Sequence, residues 1–242
     1  MPAIFVHGVP DTERVWHAVL ARLEGRDVVT LSLPGFGCPA PASFDPTKDV
    51  YAAWLIEQIA ARGEPVDLVG HDWGAILVVR AACLRPDLVR SWAAGAAPLD
   101  AEYVWHKTAQ LWQTPGVGEH VMTKFTAATL ETGLAAEGVP LDDARETGAR
   151  VDDTMKRCIL RLYRSAIKVG EEWGPDLARL TAPGLVLWGE RDPYAAPMWG
   201  ERLARRTRAR FVSFPDCHHW WQLERPAEVA GLLTTHWEEP AR

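Results

Sequence analysis

An aspartate stands where a strand-to-helix turn would present a nucleophile. The stretch Val66-Asp67-Leu68-Val69-Gly70-His71-Asp72-Trp73-Gly74-Ala75 reads as a short buried strand, a sharp turn and a helix start. A Gly-x-nucleophile-x-Gly pattern holds its central residue on a strained turn. The two glycines leave room where side chains would strike the neighbouring strand and helix. A serine at the centre would point to ester hydrolysis. A carboxylate, with an ordinary pKa near ~3.9, is ionised at neutral pH and attacks without a base. Against an ester carbonyl it would form an anhydride more reactive than the substrate. Against an sp3 carbon it forms an alkyl ester. Asp72 therefore directs attention to epoxides and alkyl halides.

Two more segments fall where such a nucleophile needs help. Gly189-Glu190-Arg191-Asp192-Pro193 follows an apolar strand, which puts Asp192 at the carboxyl edge of a sheet, where open parallel sheets bind ligands. Cys217-His218-His219-Trp220 follows the last strand. Alone, an aspartate in a loop is usually a cap or turn residue. In the order nucleophile, acid, histidine, each after a strand, the three segments reinforce one another.

The elements that must position these residues alternate. Strand-length apolar runs at Ala3 to His7, Val28 to Leu33, Val66 to Val69, Trp92 to Ala97, Gly184 to Gly189 and Arg210 to Phe214 are separated by helical patterns. Those patterns include Trp16 to Leu23, a helix opened by Asp45-Pro46, and Gly74 to Leu84. This predicts an α/β fold with a mostly parallel sheet covered on both faces. Alternation breaks from Pro98 to about Asp176, where only helical patterns occur: Glu102 to Trp112, Glu119 to Glu131 and Leu141 to Gly170. Residues 98–176 are expected to form a helical cap over a core of 1–97 and 177–242. Asp11 is expected to cap the helix containing Trp16.

The 242 residues fit one α/β domain with an insertion, and 48% hydrophobic content is ordinary for a globular chain. The net charge of -6 argues against a nucleic-acid partner. Arg202, Arg205, Arg206, Arg208 and Arg210 read as a solvated helix face and its exit. The 12 tryptophans, several in the presumed cap, suggest an aromatic-walled pocket, with core packing as the alternative. Cys38, Cys83, Cys158 and Cys217 lack metal-type or short-loop spacing and read as free thiols. No metal and no cofactor are expected. The start of the chain shows no signal peptide and no run approaches a membrane span, so a cytoplasmic protein without a membrane partner is expected.

Taken together, the chain resembles the α/β-hydrolase superfamily, in its branch of epoxide hydrolases and haloalkane dehalogenases. The resemblance is carried by His7-Gly8-Val9-Pro10, Leu33-Pro34-Gly35-Phe36-Gly37, Gly70-His71-Asp72-Trp73-Gly74, Gly189-Glu190-Arg191-Asp192 and His219-Trp220-Trp221-Gln222-Leu223-Glu224-Arg225-Pro226. It implies two further strands before the His7-Gly8 turn, so a six-stranded sheet is expected here, with a new edge that a second copy would cover in a homodimer. It selects His219, just before an aromatic, as the base rather than His218. It implies that His219 activates a water against the alkyl-Asp72 ester, that Asp192 orients His219, and that the backbone N–H groups of Val9 and Trp73 form an oxyanion hole.

The leaving group separates the branches. An opening epoxide releases an alkoxide and needs a proton donor, which tyrosines of the cap supply in epoxide hydrolases. Leu162-Tyr163-Arg164-Ser165 resembles one such segment, with Tyr163 as the donor. Gln110 to Glu119 resembles the other, with leucine and tryptophan in place of tyrosine, so Tyr103, His106 or Trp112 is left as substitute donor or substrate contact. The alternative for Tyr163 is a packing aromatic. A halide needs only N–H donors. Trp73 would serve either branch, Val9 lacks the side-chain donor many dehalogenases place there, and Pro10 fits the epoxide hydrolase turn. The expected function is hydrolysis of a small hydrophobic epoxide with water. A haloalkane or haloacid dehalogenase, and a non-hydrolytic lyase or ligand-binding protein of the same fold, are the alternatives.

Overall fold

The computed structural model describes residues 2–238. Its strands are β1 Ala3–Val6, β2 Val28–Leu31, β3 Val66–His71, β4 Val89–Gly95, β5 Gly184–Gly189 and β6 Arg210–Phe214. All pair in parallel, in the order β2-β1-β3-β4-β5-β6. β1 and β3 are buried at every position and β5 at all but its first, as unbroken apolar runs require when helices cover both faces. Asp67 and His71 are the polar exceptions inside β3, and Asp67 is the one at its start. It accepts from the Ser91 hydroxyl at 2.5 Å and pairs with Arg90, so its charge is matched at the end of the sheet away from the elbow.

From β1 the strand order runs both ways, to β2 on one side and β3 on the other. The crevice at this reversal is where a doubly wound sheet takes ligands. The loop after β1 and the turn after β3 both end there. Asp72, on that turn, has φ 52° and ψ -124°, a left-handed conformation costing on the order of 1–3 kcal/mol for a residue with a Cβ. The helix Trp73–Leu84 begins at once. Gly74 makes this approach feasible, because a Cβ there would strike the Val6 and His7 carbonyl oxygens of the β1 segment.

Between β4 and β5 come only helices: Lys107–Gln113, Val117–Thr123, Ala127–Ala136, Leu141–Gly148, Asp153–Ser165 and Val169–Trp173, then the 3-10 turn Gly174–Arg179. The three long helical patterns of the sequence are thus broken into six short helices. The first starts at Lys107 rather than Glu102, because the His106 side chain caps it and the Asp100 carboxylate turns the preceding chain by accepting from the Glu102 N–H at 2.9 Å. Likewise the helix expected from Asp45-Pro46 begins at Lys48, capped by Thr47, whose hydroxyl accepts from the Val50 N–H.

Arg202 and Arg206 are not a solvated face. They come from the helix Pro197–Thr207 and clamp both ends of the helical insertion. Arg202 pairs with Asp100 at 3.1 Å and with Glu102 at 2.7 Å, and Arg206 donates to the Gly174 carbonyl at 2.8 Å. Lys48 reaches Glu172 at 2.8 Å, and its backbone N–H donates to the Ser165 hydroxyl at 2.9 Å. The insertion also shares one apolar cluster with the sheet, through Trp73, Trp112, Tyr163 and Val169 among others.

Two glycine-to-alanine changes should have opposite signs. Gly74→Ala forces a methyl into β1 backbone and should destabilise by about 2 kcal/mol or more. Gly231→Ala, inside the helix Pro226–Glu238 with open space around its Cβ position, should stabilise by about 0.5–1 kcal/mol. Urea midpoints of the two variants check both. A Gly74→Ala protein as stable as the parent would contradict the close approach of elbow and strand.

Candidate active site

The Asp72 carboxylate is divided by its surroundings. Oδ1 accepts from the Val9 N–H at 2.8 Å, and the neighbouring Trp73 N–H also favours the charged carboxylate. Oδ2 lies 3.7 Å from His219 Nε2, too far for a hydrogen bond. One oxygen is therefore held by a backbone donor, while the other has no hydrogen-bond partner among the described residues. Gly8 permits this, since a Cβ there would overlap the Asp72 side chain. The loop carrying Val9 is fixed by His7, whose Nε2 accepts from the Leu33 N–H at 2.9 Å while Nδ1 donates to the Gly8 carbonyl at 2.8 Å. Burial lowers the His7 pKa to about 4, as that neutral tautomer requires.

His219 Nδ1 donates to Asp192 Oδ2 at 2.8 Å, leaving Nε2 towards Asp72. Asp192 is buried; its Oδ1 accepts from the N–H groups of Tyr194 at 2.8 Å and Ala195 at 3.1 Å. His218 turns away: its ring approaches Glu224 at 3.3 Å, and its backbone N–H donates to the same carboxylate at 2.8 Å. Burial opposes charge on His219, but Asp192 and then Asp72 raise it to about 9. Burial raises Asp72 to about 6, against His219 and the Val9 and Trp73 N–H groups. At neutral pH the site is a carboxylate–imidazolium–carboxylate row.

Behind it lie two groups whose contacts the sequence did not reveal. His71 Nε2 donates to the His219 carbonyl at 3.0 Å, and burial holds its pKa well below the usual value. Asp11 is not a helix cap. It is buried, accepts from the Trp220 indole at 3.0 Å and lies 3.9 Å from His71 Nδ1, and burial pushes it up to about 7. Its partner is 209 positions away, so no local signal could have redirected the assignment.

A cavity of ≈ 320 Å³ separates Asp72 and His219 from the helical insertion. Tyr163, Trp112 and His106 line it from the insertion. Tyr163 comes from the helix Asp153–Ser165 and packs against Trp73, Trp105 and Trp112 at ring distances of 5.5, 5.3 and 4.9 Å. Burial, then the Asp72 charge, raises its phenol well above 10, so it is protonated. The Trp73 indole N–H lies beside the Tyr163 hydroxyl but meets no acceptor in good geometry, and the buried Trp112 indole N–H also lacks one. His106 Nδ1 accepts from the Ala109 N–H at 3.4 Å, and burial lowers this histidine to about 4. Tyr103 does not line the cavity: its hydroxyl donates to the Tyr194 carbonyl at 3.0 Å. Tyr194 lines it instead, edge-on to His219 at 4.9 Å. Its place two residues after Asp192 was the available sequence signal.

A parallel sheet with a strained elbow after β3, an acid after β5 and a histidine after β6 defines a hydrolase scaffold with a carboxylate in the nucleophile position. The chain belongs to the alpha/beta hydrolase family, which it matches over residues 3–232. Among curated proteins it is 26% identical to epoxide hydrolase 3 of Xenopus tropicalis, covering 95% of this chain and 69% of that protein. It is 23% identical to bifunctional epoxide hydrolase 2 of Rattus norvegicus, over 96% of this chain, and spans about half (51%) of that protein's length. A solved haloalkane dehalogenase from Bradyrhizobium elkani superposes with a TM-score of 0.78 at 20% identity, covering 97% of this chain and 90% of that one. Among the described residues no helix is long and apolar enough to cross a membrane.

The row of charges has a measurable signature. His219 should titrate near 9, and Asp72→Asn should lower that value by on the order of one unit or more, because one of its two nearest negative charges disappears. Histidine-resolved NMR titration measures this. An unchanged His219 pKa in Asp72→Asn would mean that the two groups do not interact.

Proposed function

We propose that this chain is a hydrolase that opens a small, largely apolar epoxide through an alkyl ester on Asp72. The supporting observation is the unequal treatment of the two Asp72 oxygens, Oδ1 accepting from the Val9 N–H and Oδ2 lying towards His219, in a cavity that Asp72 shares with the protonated Tyr163. Oδ2 attacks an epoxide carbon, the carbon–oxygen bond of the ring breaks, and the Tyr163 phenol gives its proton to the departing alkoxide. The resulting phenolate recovers a proton from the His219 imidazolium. Esterification removes the Asp72 charge, which weakens the hold of His219 on that proton. His219 then accepts a proton at Nε2 from a water attacking Asp72 Cγ. Negative charge develops on Oδ1, where the Val9 and Trp73 N–H groups receive it. Collapse breaks the Cγ–Oδ2 bond and expels the diol with a proton from His219, and the new Asp72 carboxyl group passes its own proton to His219, which restores the starting charges. Residues 98–176 serve as the cap that closes this chemistry over the core of 1–97 and 177–242.

One observation favours a second reading, a haloalkane dehalogenase. Trp73 and Trp112 offer two buried indole N–H groups without acceptors, and a departing halide needs N–H donors but no proton. The nucleophile and base would be the same.

Intact mass separates the half-reactions. His219→Gln should accumulate an adduct of one epoxide mass, since alkylation needs no base and hydrolysis does. Asp72→Asn should form none and should lose turnover. An adduct trapped by His218→Gln but not by His219→Gln would move the base to the neighbouring histidine. Ligand binding with no adduct in any variant would point to a non-hydrolytic protein.

Tyr163→Phe tests the leaving group. The ring still packs, but the proton donor is gone. Alkylation by an epoxide should slow by on the order of 100-fold, while alkylation by a haloalkane should change far less. Single-turnover rates with both substrates decide. An unchanged epoxide rate would make Tyr163 a packing residue and favour the dehalogenase reading.

A further inference from the structure

The cavity has a second polar end. Glu137 follows the helix Ala127–Ala136, and its backbone N–H donates to the Gly133 and Leu134 carbonyls. Its half-buried side chain lines the same cavity as Asp72 and His219. The residues after it rest on the loop bearing His219. A Cβ on Gly138 would lie 3.1 Å from the His218 ring, and Val139 is buried in one cluster with Cys217 and Trp220. Glu137 is thus held in place by contacts on both sides of the cavity.

Tyr194 approaches it from the core. Its backbone N–H is fixed by Asp192, and its ring stands edge-on to His106 and His219, 4.9 Å from each. Tyr194 and Glu137 line the same cavity, and burial raises the Tyr194 phenol above its ordinary value, so it stays a proton donor there. Among the described residues neither the Glu137 carboxylate nor the Tyr194 hydroxyl has a hydrogen-bond or ion-pair partner in the protein. The remaining wall is largely apolar, with Trp112, Val121, Phe125, Leu130 and Leu134. Glu137 is the acidic group of that wall, and a cationic donor is the partner a carboxylate binds most strongly.

The geometry points to Glu137 and Tyr194 as a polar subsite that selects substrates carrying a protonated amine remote from the electrophilic carbon. This rests on the reading of Asp72 as the nucleophile that receives that carbon. Charge favours the choice: the Asp72–His219–Asp192 row carries one net negative charge with His219 protonated, and Glu137 adds another. Lys124 also lines the cavity, but its exposed position puts it at the rim. A carboxylate-bearing substrate held by Lys124 is the competing outcome.

Two measurements test the subsite. The first compares kcat/KM for epoxides of one chain length ending in ammonium, methyl or carboxylate. The ammonium epoxide should be preferred over the methyl one by about ten-fold or more, and Glu137→Gln should erase that ratio. Tyr194→Phe should reduce it in part. The second uses calorimetry with unreactive probes, an aryl-alkyl amine of phenylpropyl length and the matching carboxylate. The amine should bind more tightly, and Glu137→Gln should weaken it by a similar factor. Preference for the carboxylate, or an amine preference that survives Glu137→Gln, overturns the subsite. Amine binding that depends on Glu137, with no epoxide alkylating Asp72, upholds the subsite and overturns the proposed chemistry instead.

Discussion

Buried charge is the constraint that the site is built around. Asp72 and Asp192 lie on either side of one imidazole, at 3.7 and 2.8 Å, where little water can screen them. Charges in such a setting are kept only if each is paired and hydrogen-bonded. Here Val9 donates to Asp72, Tyr194 and Ala195 donate to Asp192, and His219 lies between the two carboxylates. Every one of those backbone donors comes from a turn at the carboxyl edge of the sheet. The parallel order of β1, β3 and β5 brings the turns together, and the strain at Asp72 is tolerated because the sheet leaves the turn no other path. The fold thus acts as a device for delivering N–H groups to two carboxylates.

The same pairing explains how one histidine serves two opposite needs. With Asp72 ionised, His219 is held charged. An ester on Asp72 removes that support and leaves Asp192 alone to stabilise the proton. Covalent capture of a substrate would therefore switch the imidazole towards its basic form without any movement of the chain. Asp11 and His71 sit behind this row, Asp11 on the Trp220 indole and His71 on the His219 carbonyl and ring. Burial pushes His71 towards its neutral form and Asp11 to about 7, so Asp11 carries part of a charge at neutral pH and adds to the support of the His219 proton.

Legibility in the sequence followed the range of the interaction. β1, β3 and β5 were visible because burial on both faces writes an uninterrupted apolar run. The order of Asp72, Asp192 and His219 was visible because each follows such a run. Helix starts were less so: Asp45-Pro46 offered a plausible cap, yet Thr47 takes the role two residues later, and Glu102 lies in a turn set by Asp100. Asp11 and the arginines of the Pro197–Thr207 helix were misread for one reason. Their partners, Trp220, Asp100 and the Gly174 carbonyl, are far away in the chain, and a local pattern cannot outbid a partner it does not contain. Glu137 emerges only when the cavity is seen whole.

Those misread arginines bear on what the cavity can accept. Arg202 and Arg206 fasten the two ends of the insertion to a single helix of the core, and Lys48 fastens its last helix through Glu172. The wall that carries Trp112, Tyr163 and Glu137 is therefore registered against the sheet rather than loosely hinged over it. Under the proposed chemistry, a registered wall would fix the separation between the carbon met by Asp72 and the group met by Glu137. Selectivity then depends on substrate length as well as on polarity. It also makes the leaving-group donors a fixed set: Tyr163, Trp73 and Trp112 stand in one aromatic cluster, and moving any one of them means repacking the others. Whether that cluster protonates an alkoxide or solvates a halide is decided by a single hydroxyl among the indoles.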